Sequence, residues 1–121
     1  MDERSLGFVN QLIEKTEQGK LQWSTGFEDG QFKTIVPEGD LVFVVQSNPE
    51  MRKFMILDNY QDVILEEEIS PSVLQNVQIQ ANQPKLIMLY NNIGQLQNLV
   101  RASALKVNEK LEKAEKFLSA I

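Results

Sequence analysis

Cysteine and histidine are both missing from this 121-residue chain. Without cysteine there is no disulfide framework, no zinc-finger type site and no thiol nucleophile. Without histidine there is no imidazole base, a Ser-His-Asp relay cannot be built, and metal binding falls to carboxylate and carbonyl oxygens. Long apolar runs are absent as well. The stretch "LVFVV" from Leu41 is far short of the roughly 20 residues that cross a bilayer, so no membrane span is expected. The opening "MDERSLGF" carries charges of both signs and lacks a signal-peptide core, which makes the cytoplasm the expected location. Basic residues are the minority charge, 12 against 17 acidic, for a net charge of −5. That balance repels a phosphate backbone unless the basic groups cluster, and it argues against nucleic-acid binding.

What is present is the composition of a folded domain. Hydrophobic residues make up 42% and charged residues 24%, both near globular averages. A chain of this size buries roughly two-thirds of its unfolded surface and folds without metal or disulfide. One domain over residues 1–121 is expected.

The segment "SLGFVNQLIEKTEQGK" places Leu6, Val9, Leu12 and Ile13 on one helical face, with Asp2 or Ser5 to cap its start and Gly19 to end it. "LQWS" alternates like a short strand, and "GFEDGQ" reads as a loop. The runs "QFKTIV", "LVFVVQS", "RKFMILD" and "DVILEEEI" are separated by "PEGD", "NPE" and "NYQ", the punctuation of an antiparallel meander. The continuous run Leu41–Val45 suggests a central strand. Ser70-Pro71 has the order of an N-cap and a first helical residue, giving a turn or two over "PSVLQNV" before an irregular "QIQANQ".

From Leu86 to Leu118 apolar residues recur every three or four positions, which predicts one long helix. Its first half is apolar nearly all round and reads as buried on the sheet. Its second half carries only a narrow stripe of Val107, Leu111, Ala114 and Leu118 between charges. An unbroken helix over 85–119 is roughly 50 Å long, against a diameter of roughly 35 Å for a compact chain of this size. The stripe would therefore overhang the body by about 15 Å, a difference of those two lengths. Either the N-terminal helix, through Leu6, Val9 and Leu12, or the same helix of a second chain would cover it. A break at Gly94 would shorten the reach and favour the first cover. The nearly heptad spacing of the stripe favours the second.

Chemistry-bearing candidates are few. In "LEEEIS" a strand puts Glu66 and Glu68 on one face and Glu67 on the other. With Asp58 and Asp62 of the preceding turn they are the one candidate carboxylate set for a metal- or ligand-binding enzyme. No ligand spacing surrounds them, so a solvated strand end is the favoured reading. Tyr60 sits at a turn tip. Trp23, Phe32, Phe43 and Phe54 could form a base-stacking platform, but such platforms work inside basic grooves, and core packing accounts for them better. Lys106, Lys110, Lys113 and Lys116 alternate with Glu109, Glu112 and Glu115 at salt-bridge spacing, as on a solvated helix face. No catalytic constellation, catalytic residue or cofactor site emerges.

The order "LIEKTEQGKLQW", then "FMILDNYQDVI", then "LYNNIGQLQNLVRASALKVNEKLEKAEKFL" resembles a loosely defined group of small bacterial helix–meander–helix proteins. The resemblance covers about Phe8 to Leu118 and implies a fold, with no activity and no site residues. The reading is an α+β protein: a helix, an antiparallel meander of about four strands, and a long C-terminal helix on one sheet face. The expected function is a small non-catalytic protein–protein interaction module, self-associating or serving a larger protein partner. A secretion-chaperone-like acidic dimer and the carboxylate enzyme are the alternatives.

Overall fold

The computed structural model describes residues 3–26, 28–36 and 40–121, except the side chains of Val107 and Asn108. The expected cap Asp2 and most of the "PEGD" turn lie outside them. The chain is α+β, with a five-stranded antiparallel sheet in meander order. Helix α1 spans Glu3–Glu17, and strands β1 to β5 span Ser24–Thr25, Gln31–Val36, Leu41–Asn48, Met51–Leu57 and Val63–Ile69. A 3₁₀ turn, Pro71–Gln75, leads to α2, Val77–Asn82, and α3, Pro84–Ala120.

Local chemistry explains most boundaries. Gly19 ends α1 at φ 71°, with its N–H and that of Lys20 donating to Thr16 and Lys15 carbonyls, so the helix stops by satisfying its last acceptors. Asn48 closes the β3–β4 hairpin by accepting from the Glu50 and Met51 amides. Asp58 does the same at the next turn, accepting from Tyr60 and Asp62, while Gln61 takes φ 68°. Ser70 caps the 3₁₀ turn through the Ser72 amide, as its order with Pro71 suggested.

Three local expectations are corrected. The strand expected at "LQWS" begins only at Ser24 and brings the sheet to five strands. Ser5 is not a cap. It lies inside α1, fully buried, and its hydroxyl donates to Glu67 at 3.0 Å. The stretch "QIQANQ" is mostly helical, because Asn76 caps α2 by accepting from the Ile79 amide. Helix α3, by contrast, is the one long helix its periodicity predicts, continuous through Gly94 over its 37 residues.

Helices α1 and α3 lie on one face of the sheet, where Phe32, Val45, Phe54 and Ile56 meet Val9, Leu12, Leu89, Ile93, Leu96 and Val100. Phe54 stacks on Phe43 with ring centroids 6.4 Å apart. Trp23 is 1% exposed and donates its indole N–H to Thr16 at 3.0 Å, so it packs the end of α1 onto the sheet. These aromatic residues are therefore core residues under the helices, the reading favoured over a base-stacking platform. Strand β3 is central, as its apolar run implies. Even its outward Val44 is buried, with Lys33 and Met55 as its cross-strand neighbours.

Candidate functional site

Helix α3 begins against the start of α1. Lys85 pairs with Glu3, and Asn92 donates to Asn10 at 2.7 Å, so the two helices run side by side in the same direction. Because α1 has only 15 residues, this packed layer is short. The apolar face of α3 is buried at Leu89, Ile93, Leu96, Val100 and Ala104, and burial ends there.

Gly94 contributes to this packing instead of breaking the helix. A Cβ built on it would lie 2.4 Å from the guanidinium of Arg52. That vacancy lets Arg52 reach in from β4, donate to the Tyr90 carbonyl at 3.0 Å and lie 4.1 Å from the Tyr90 ring centroid. A second strap fixes the other end of the contact. Gln97 donates to the carbonyl of Gly30 at 2.7 Å. Gly30 has φ 73°, and a Cβ there would sit 2.6 Å from the Ser47 carbonyl oxygen, so glycine is required on both counts.

Beyond Ala104, every described side chain of α3 is exposed. Leu111 is 56% and Leu118 66% accessible, and Ala114 is exposed between them; Val107 falls among the side chains that are not described. The end of α1 and the loop after it border a hollow with Lys106 and Lys110, so the stretch clear of the body runs from about Lys110 to Ala120, about 15 Å at 1.5 Å per residue. Of the two covers, the N-terminal helix is spoken for: Val9, Leu12 and Ile13 are buried in the core against the first half of α3. Two further apolar groups join the stripe, Phe117 at 65% and Ile121 at 87% exposure. Sequence reading passed over both, although Ile121 lies three positions after Leu118 and continues the same spacing. Among the described residues, no Glu–Lys pair along this segment closes to ion-pair distance, so its charges are solvated individually.

The carboxylates of "LEEEIS" are separated as the strand period requires. Glu66 and Glu68 face outward, Glu66 at 3.9 Å from Lys53, while Glu67 turns inward to Ser5. Asp58 is engaged by the turn amides, and Asp62 stands four residues of chain from Glu66, roughly 13 Å in extended backbone. Among the described residues no three acidic side chains gather as a metal site. Tyr60 is 80% exposed at its turn. The outer sheet face also holds an open groove of about 310 Å³, floored by Val42, Val44, Met55 and Leu57 with Lys33 and Gln61 at its rim. Its signal in the sequence was the period-two alternation of β2 to β4, in which every second residue faces outward.

The architecture thus defines an α+β meander carrying a projecting amphipathic helix. Among the described residues no helix is long and apolar enough to cross a membrane. Comparison with protein-family models, curated proteins and solved structures returns no match.

Proposed function

We propose that the protein is a small non-catalytic interaction module that associates with itself through the distal half of α3. The observation that carries the reading is the stripe of Leu111, Ala114 and Leu118, projecting past the body with no described part of its own chain across it. A solvated helix needs no such stripe. An isolated helix of this length is marginal in water, and an apolar face laid against a partner is what makes it persist.

Magnitudes set the expected strength. Burying the exposed fractions of Leu111, Phe117, Leu118 and Ile121 in two chains gives on the order of 10 kcal/mol gross. Association costs roughly 4–15 kcal/mol in lost freedom. At the low end of that cost about 6 kcal/mol is left, a dissociation constant of roughly tens of micromolar, and the body folds without the dimer.

Light scattering on a size-exclusion column tests this. The wild type is expected to shift from monomer to dimer across the micromolar range, and Leu111→Asp to stay monomeric with unchanged circular dichroism from the body. A wild-type monomer throughout, or a dimer indifferent to Leu111→Asp, sinks the reading.

A further inference from the structure

Resting on that association, we infer that the two helices pair antiparallel, about a centre between Glu112 and Lys113. The first reason is steric. The distal stripe continues the same helical face that holds Leu89, Ile93, Leu96 and Val100, at steps of three or four residues. The body of each chain therefore lies on the seam side of its own helix. In a parallel pair both bodies would occupy the space between the helices at one level, and they would collide. Reversing one helix sends the bodies to opposite ends and leaves the projecting segments free to overlap.

The second reason is shape. Antiparallel pairing about that centre sets Leu111 against Ala114 of the other chain and brings position 118 level with position 107. The Leu111–Ala114 layers, one on each side of the centre, put a large side chain against a small one, which fills an interhelical seam at native density. A parallel pair would set Ala114 on Ala114 and leave a void. The antiparallel register also lays Lys110 beside Phe117 of the other chain, covering an exposed ring with an aliphatic stem and a cation. A parallel pair would offer one competing gain, Lys110 near Glu115. Both groups are exposed, and such pairs contribute too little to offset two colliding bodies.

The absence of native cysteine allows a clean test. Val107→Cys and Leu118→Cys chains are mixed, oxidised gently and run on a non-reducing gel. A disulfide needs Cα atoms within about 7 Å. The mixture is expected to cross-link while Leu118→Cys alone does not, because its own mate lies eleven residues along the helix, about 16 Å away. Cross-linking of Leu118→Cys to itself as fast as the mixture overturns the antiparallel arrangement and leaves self-association standing. Light scattering of the same samples under reducing conditions separates that result from a failure to associate. Should the cysteines weaken the seam, a nitroxide on Ser119→Cys keeps it intact. Axial separation of the two labelled sites of about 20 Å or more supports the proposal, and labels level with each other overturn it.

Discussion

At the scale of single residues, the contact between Arg52 and Gly94 shows how a glycine that reads as a helix breaker can be a seat. Glycine within a helix costs about 1 kcal/mol relative to alanine, and here that cost is set against a charged hydrogen bond worth roughly 1.5–3 kcal/mol. The opposing terms make a specific prediction. Gly94→Ala alone should lower stability by about 1 kcal/mol, because displacing the guanidinium outweighs the gained propensity. In an Arg52→Met background the same change should become stabilising by about 1 kcal/mol, since only propensity is left. Urea denaturation of the four chains of this cycle measures the coupling. Additive effects would show that Arg52 and Gly94 do not share a site. The outward carboxylates allow a second test. Glu66→Gln with Glu68→Gln should fold normally, and Mg²⁺, Mn²⁺ or Ca²⁺ should leave the melting temperature of wild type and double variant alike. A rise of several degrees in the wild type alone would point to a bound ion.

At the scale of elements, α3 behaves as two helices in one. Its first half is held by α1, by Arg52 from β4 and by Gln97 on the carbonyl of Gly30. Its second half has neither packing nor ion pairs among the described residues, and an unsupported helix of that length frays. Helical circular dichroism at 222 nm should therefore increase as the concentration is raised through the association range. A chain ended after Lys106 should show no such increase. It should also melt within a few degrees of the full chain, because every described side chain removed is exposed. A large loss of stability on truncation would mean that the distal segment belongs to the body. The period of three and four residues was visible along the whole helix. The point where burial stops was not, because it depends on the length of α1 laid beside it.

At the scale of the whole molecule, the sequence by itself determined the class and most of the order. Turn residues such as Asn48, Asp58 and Gly19 act through bonds to backbone within a few positions, so they are readable locally. The strand period likewise separates Glu67 from Glu66 and Glu68. Trp23 is buried although it lies just before β1, where its indole N–H reaches Thr16. Tertiary structure alone decided what depends on residues far apart in the chain. Ser5 became a buried partner of Glu67 across 62 positions, and Gly94 became a seat for Arg52 across 42. It also decided that α1 does not cover the distal stripe of α3. The N-terminal helix carries an apolar face suited to either half of α3, and periodicity cannot distinguish them. The choice is made by where α1 docks, beginning level with Lys85, which spends its apolar face on the first half and leaves the second projecting.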